Sequence, residues 1–375
     1  MLTGIVLGVI LGLIPGLHIN LVSPLLSGDI TKISIIIVSA TIIANFFEFL
    51  KSCLFSVPDE GDEIAVNVLR KMISEGKMFY SIKLLGLGAL MGSLICCIFY
   101  PLLKILIPLI YYNIRKYVVF FLMGISIHLI IRDKSPKKAL IFFLLSGMLG
   151  IFSLNIDMKN PLLPLLSGIF GISSIIFVKK QRKKQMRFYA FLLEKKELIE
   201  GSLLGFFSAL LLSFIPAIGP SQASIISSEF RKQKNEEVFL VSIGSINTSD
   251  VFLSLICLYT INKARLGAFN YLISDKTFLP VLMFIGLISS ITGYFLLMYL
   301  SKIVSKNIDK INFNFVKFSV IFFVLLLCFC FDGIFGVLIL ILSTIMGIYA
   351  EKNKIIKSHG MGCLIIPTLI YFIMH

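Results

Sequence analysis

Predominantly apolar runs too long for a soluble core recur along this chain. Residues 83–112, 279–300, and 315–331 followed by 334–349 are each long enough to cross, or nearly cross, a hydrocarbon layer roughly 30 Å thick. The 375 residues are 57% hydrophobic and only 15% charged, with a mean hydropathy of +0.97. A soluble domain needs far more polar surface to cover one core. No hydrophilic stretch is long enough to form a separate soluble domain. The pattern predicts an all-α polytopic membrane protein, with the lipid bilayer as its first partner.

The net charge of +15 does not indicate nucleic acid. Lys and Arg sit in short connections between apolar runs, where the positive-inside bias puts them. The densest run, KKQRKKQMR at 179–187, flanks a predicted span. The seven cysteines form no CxxC pair and lie mostly inside apolar runs, where Cys packs as a small hydrophobe. A metal site, a disulfide or a bound cofactor is therefore not expected. The first apolar segment lacks a basic leader and a small-residue cleavage site, so it is expected to be retained.

The basic stretch 179–200 divides the chain into an N-terminal membrane repeat, 1–178, and a C-terminal one, 201–375. When Gly4 is laid on Gly205, the four-residue spacing Gly4, Gly8, Gly12, Gly16 falls on Gly205, Ala209, Ser213 and Ala217. Pro15 falls on Pro216 and Ile14 on Ile215. Small residues at that spacing line one helix face and admit a neighbouring backbone. A packing stripe alone would explain the glycines; the shared Ile-Pro step points to duplication.

Residues 2–14 as a helix reach only about 19 Å, and PGLHIN at 15–20 and PAIGPS at 216–221 read as broken backbone. Each opening segment is therefore a full span or a re-entrant hairpin, and charge decides between them. With two hairpins, only Lys32, Lys104, Arg115, Lys116, Lys159, Lys263, Arg265 and Lys276 fall on the side opposite the basic linker. With two full spans the imbalance nearly disappears. The expected architecture is two inverted repeats, each with a re-entrant helical hairpin plus about five transmembrane helices, and with 179–200 on the cytoplasmic side.

Broken backbone at membrane depth is tolerated where it is buried or lines a cavity, and such tips hold ions through free N–H and C=O groups. The substrate-binding candidates are thus Pro15, Gly16, His18 and Asn20 in one tip, and Pro216, Gly219, Ser221 and Gln222 in the other. A matched pair follows in each half. Asn45 and Glu48 stand in ANFFE, and Asn247 and Asp250 stand in SINTSD, amide then acid at i, i+3 on one helix face. A carboxylate inside an apolar segment usually faces a pathway or a partner. Asn45, Glu48, Asn247, Thr248, Ser249 and Asp250 are the candidates for H⁺ or Na⁺ coupling; a plain interhelical polar contact is the alternative. No Lys or Arg lies in an apolar segment beside the tips, so an anion is expected to rely on backbone dipoles and hydroxyls. The acidic stretch 57–63 is expected to cap an amphipathic segment over 62–80. Asp332 in FDG is expected to mark a tight turn between spans.

The motif GxxxGxxPGLHxN near the start, PxxPLLSGIFG at 161–171, SIGSINTSD at 242–250 and MGCLIIPT at 361–368 resemble the large membrane subunit of tripartite tricarboxylate transporters, the TctA family, and its archaeal branch most closely. The resemblance spans nearly the whole chain. It implies ion-driven uptake of citrate-like carboxylates in the cell membrane, with a small membrane subunit and an extracytoplasmic binding protein as partners. By motif match it implicates Gly16, Asn20, Asn247, Thr248 and Asp250. His18 departs from the small residue usual after PGL.

The residues thus point to a secondary transporter for a small organic anion working by alternating access. A flippase for an anionic lipid such as a polyisoprenyl phosphate, or a non-transporting assembly protein, remain as alternatives. Neither an HExxH nor a GxSxG motif occurs, so an enzyme is not expected. Homo-oligomerisation is left open.

Overall fold

The computed structural model describes the chain except for residues 15–16, 56–62, 178–192, 216–218, 221, 225–226, 228–234, 311 and 375. The candidates Pro15, Gly16, Pro216 and Ser221, and most of the basic linker, lie outside the described residues. The described residues form helices joined by short connections, with no strand among them. Among them, seven helical stretches are long and apolar enough to cross a membrane.

In chain order the helices are α1 (Leu2–Leu13), α2 (Ile30–Phe55), α3 (Glu63–Ser74), α4 (Met78–Ile114), α5 (Val118–Arg132) and α6 (Pro136–Asn155). They continue with α7 (Leu162–Ile176), α8 (Lys195–Leu212), α9 (Glu236–Ile261), α10 (Leu279–Asn307), α11 (Phe313–Lys352) and α12 (Gly362–Met374). The spans expected from hydropathy agree with these bounds to within a few residues. The amphipathic segment appears as α3, which buries Leu69, Met72 and Ile73 and exposes Arg70 and Lys71.

The expected turn at Asp332 also forms. Gly333 takes φ 61, ψ −144 inside α11, a conformation an L side chain rarely adopts. A Cβ on Gly336 would stand 2.7 Å from the carbonyl oxygen of Cys328. Eight residues of straight helix separate such atoms by about 12 Å, so the chain doubles back here into two arms.

Small residues set the tightest helix contacts. On α1, Gly4 meets Ile36 and Ser39, Gly8 meets Ala40 and Ile43, and Gly12 meets Ala44 and Phe47. Both helices advance together, so α1 and α2 run parallel. The same holds for α8 on α9: Gly201 meets Val238 and Val241, and Gly205 meets Ser242 and Ser245. Gly4 and Gly8 thus stand against α2 as Gly201 and Gly205 stand against α9. The two stripes correspond one helical turn away from the alignment that lays Gly4 on Gly205. A turn's error is easily made, because a four-residue stripe matches itself after every turn.

The helices α2 and α9 are antiparallel. Ser34 in the first turns of α2 accepts a hydrogen bond from Ile273 N–H, beyond the end of α9, at 2.9 Å. Lys71 of α3, which follows α2, pairs with Glu236 at the start of α9 at 2.7 Å. The Tyr80 hydroxyl at the start of α4 donates to Glu237 at 2.8 Å, so α4 and α9 start at one level. They stay in register through Gly88, Gly92 and Gly244, where a Cβ would strike the facing backbone.

A second polar cluster ties the far helices together. Lys357 Nζ donates to the Ser173 and Ser174 hydroxyls at 3.1 and 2.6 Å and pairs with Glu351 at 3.1 Å. Asp133 accepts from Ile356 N–H at 3.0 Å and faces His359 Nε2 at 3.1 Å. Lys357, His359 and Asp133 are all buried. Their sequence context, short polar loops between spans, gave no sign of burial. Ser173 follows a π-turn over Ser167–Ile172, whose Gly168 lies directly against Ser343 of α11.

Candidate functional site

The most enclosed helices carry the matched amide–acid pairs. From Ile37 to Cys53 on α2, every side chain is buried except Asn45 and Glu48, which are half-buried. From Val238 to Cys257 on α9, every side chain is buried except Ile243 and Asn247. Surface is therefore left open in the middle of these helices at Asn45, Glu48, Ile243 and Asn247, three of them polar. The two openings meet, because Asn45 Nδ2 donates to the Asn247 carbonyl at 3.0 Å.

The C-terminal ends of α1 and α8 reach this level. The last turn of α1 abuts Ala44 and Phe47, so Leu13 ends beside Glu48. At 3.6 residues per turn, the register of Gly205 on Ser242 and Ser245 brings Ser213 level with Asp250. Each long half-helix thus points its C-terminus, the partially negative end, at the centre. That end favours cations, so backbone dipoles of α1 and α8 do not supply the anion site expected of the tips.

The positive group comes from elsewhere. Arg265 Nη1 lies 2.6 Å from Asp250 Oδ1, and the two side chains keep 14% and 12% of their surface exposed. Both halves of the loop argument are therefore corrected: Arg265, expected in an external loop, reaches the buried centre, and a cation does stand beside the tips. The loop after α9 makes this possible. Asn262 ends α9 in the left-handed conformation, and the chain then turns back along the helix. The Ser254 hydroxyl accepts both Arg265 N–H (3.1 Å) and Leu266 N–H (3.2 Å). Ala268 and Phe269 are fully buried. No sequence motif marked Arg265; the apolar alternation of Ala264, Leu266 and Ala268 was the available signal of a loop that turns inward.

Asn20 clamps this loop to the first half. Its Oδ1 accepts Ala268 N–H at 2.7 Å. His18 is exposed and caps the short helix Ile19–Val22, its Nδ1 accepting Asn20 N–H at 3.3 Å. In the second tip, Gly219 N–H donates to Gln222 Oε1 at 2.9 Å, and Gln222 is buried. Both residues serve their own turn, which is the local role polar tip residues often fill. Thr248 and Ser249 are fully buried, and neither hydroxyl has a hydrogen-bond partner among the described residues. Ser249 packs beside Gly92 of α4.

A helical membrane protein with a solvent-reached polar centre, a buried ion pair and broken helices converging on it has the make-up of a multi-pass transport protein. The chain belongs to the tripartite tricarboxylate transporter TctA family, whose model matches residues 1–362. It is 26% identical over 392 aligned positions to an uncharacterized protein of Methanocaldococcus jannaschii, an alignment covering 100% of this chain and 98% of that relative. No solved structure matches the chain.

Proposed function

We propose that the protein is a secondary transporter that moves a small organic anion, a carboxylate of the tricarboxylate kind, across the cell membrane in exchange for the energy of an H⁺ or Na⁺ gradient. One observation carries the reading: Asn45, Glu48 and Asn247 are three of the four positions that keep open surface in the middle of the two most enclosed helices, next to the Asp250–Arg265 pair. Intramembrane ionisable groups of this kind mark ion and substrate paths. Family membership supports the substrate class and supports a small membrane subunit and an extracytoplasmic binding protein as partners.

Alternating access is the mechanism we favour. The parallel pairing of α1 with α2, and of α8 with α9, supports two re-entrant hairpins, since a full span would leave its successor antiparallel. The opposed directions of α2 and α9 support an inverted repeat with boundaries near 178 and 201. Packing is exchanged between the halves: α4 lies on α9 while α10 lies on α2, and α7 lies on α11 while α12 lies on α6. In such an arrangement Arg265 and Asn20 hold the anion side, and Asn45, Glu48, Asn247, Thr248, Ser249 and Asp250 the cation side.

Purified protein in liposomes should accumulate labelled citrate or succinate when an inward Na⁺ or H⁺ gradient is imposed, and should stop when the gradient is collapsed. Uptake of neither, together with transfer of a polyisoprenyl phosphate between leaflets, would replace this reading with the flippase.

A further inference from the structure

The ion pair at the centre is built from both sides, and its construction suits exchange rather than simple neutralisation. Arg265 is held by its backbone, through Ser254 at one residue pair and through the Ala268–Asn20 bond three residues on. Its guanidinium is thereby presented at a set place while its partner Asp250 sits on a different, rigid element, α9. Both side chains keep a small exposed face. The loop touches the return arm of the first half and α9 of the second, so the pair lies where the halves meet. Cys96 of α4 and Cys257 of α9 lie within electrostatic reach of Asp250. Arg265 is the cation paired with Asp250, and a planar guanidinium is the donor best matched to a carboxylate.

Resting on the transporter reading above, we propose that a substrate carboxylate and Asp250 compete for the Arg265 guanidinium, so that anion binding releases Asp250 to take the coupling cation. Charge balance supplies the coupling. The pair is neutral as it stands. If a carboxylate takes Arg265 and nothing joins Asp250, a buried carboxylate is left unpaired, at a cost of several kcal/mol. A proton or Na⁺ on Asp250 removes that cost. The carbonyl ends of α1 and α8 suit such a cation. Anion and cation then bind together or not at all, which is what a coupled carrier requires. Asp250 thus acts as the internal rival of the substrate, and Arg265 as its anchor.

The test uses full-length protein in detergent, titrated with citrate and with succinate by thermal shift and by labelled-ligand binding, with and without Na⁺ and at two pH values. Wild type should bind one of them in a Na⁺- or pH-dependent way. R265Q should lose about 100-fold in affinity, the scale expected when one partner of a buried charged contact is removed. D250N should go the other way: removal of the rival should tighten anion binding by about tenfold and abolish its dependence on Na⁺ and pH. R265K keeps the charge and loses the planar fork, and should bind more weakly than wild type at unchanged Tm. If a single neutralisation prevents folding, the double variant R265Q/D250N removes both charges at once and should fold yet fail to bind. D250N weakening binding as much as R265Q, as a purely structural pair would, overturns the proposal, and so does wild-type affinity in R265Q or in the double variant. Wild type that binds neither acid overturns the transporter reading itself, so the two failures are told apart.

Discussion

The two halves of the molecule treat the segment after their central helix in opposite ways. After α2, the chain passes to α3, which lies with its apolar side on the protein and its cations outward; Arg70 and Lys71 are matched there by Glu351 and Glu236. After α9, the chain turns inward, buries Ala268 and Phe269, and sends Arg265 to Asp250. Both segments carry an Arg. In α3 the apolar residues Leu69, Met72 and Ile73 fall three and four apart, so a helix can bury them and leave the charge at the surface. In 262–275 Phe269, Leu272 and Ile273 have the same spacing but lie beyond Arg265, and the backbone finds its partners inside, at Ser254, Asn20 and Ser34. Helix pairs that pack alike can therefore have connections that diverge, and here the divergence brings Arg265 to Asp250.

The largest expected effect breaks what the halves share. Gly8→Leu or Gly205→Leu drives a side chain into the backbone of α2 or α9, where a Cβ already stands 2.6 Å from Ala40 O in the first case. Each should cost about 3 kcal/mol or more and lower Tm in a detergent melt. Wild-type stability in either variant would dissolve the correspondence between the two helix pairs.

Next come the acids on which the halves differ. Asp250→Asn should stop gradient-driven accumulation in liposomes without unfolding the protein, whereas Glu48→Gln should leave partial, still gradient-dependent uptake. Equal loss in both would mean that the centre is functionally two-fold after all.

The Asn20 clamp is specific to the inward loop. Asn20→Ala leaves Ala268 N–H without its acceptor and should cost about 1–2 kcal/mol. It should also raise amide exchange across 262–275 while leaving α3 protected as before, which exchange mass spectrometry would read.

At the small end, Lys71→Ala removes an exposed pair with Glu236 and should leave Tm within experimental scatter. Asp275 gives the pH counterpart. Its carboxyl accepts Thr277 N–H and is held below the ordinary value of 3.8 by that bond. A depressed folded pKa stabilises the protein above the unfolded pKa, and the contribution disappears as pH falls through the folded value. Asp275→Asn should thus cost a little at neutral pH and nothing in strong acid, seen by comparing melts across that range.

Much of the architecture was legible because it rests on local pattern. Run lengths set the spans, the Asp332–Gly333 step marked a reversal, and the stripes that open at Gly4 and at Gly205 pointed to close contacts. The pairs Asn45/Glu48 and Asn247/Asp250 stood out as polar groups in apolar surroundings, and Asn45 and Asn247 are joined by a hydrogen bond. Other features were not legible. Lys357, His359 and Asp133 sit in short polar stretches that read as solvated, and are buried only because α6, α7, α11 and α12 converge on them. The role of His18 and Gln222 as caps of their own turns depends on backbone angles that no residue type declares.

Hydrophobic length, helix period and the spacing of small residues are short-range properties, and from them the sequence by itself determined a helical membrane protein, its spans and the polar residues at its core. Tertiary structure alone decided the direction of each broken helix, the one-turn register between the stripes and the identity of the central cation. A stripe repeated every turn packs equally well in several registers until the whole bundle selects one. Arg265 reaches Asp250 only because a loop, polar enough to stay in water, gains more by hydrogen-bonding to Ser254 and Asn20 inside the fold.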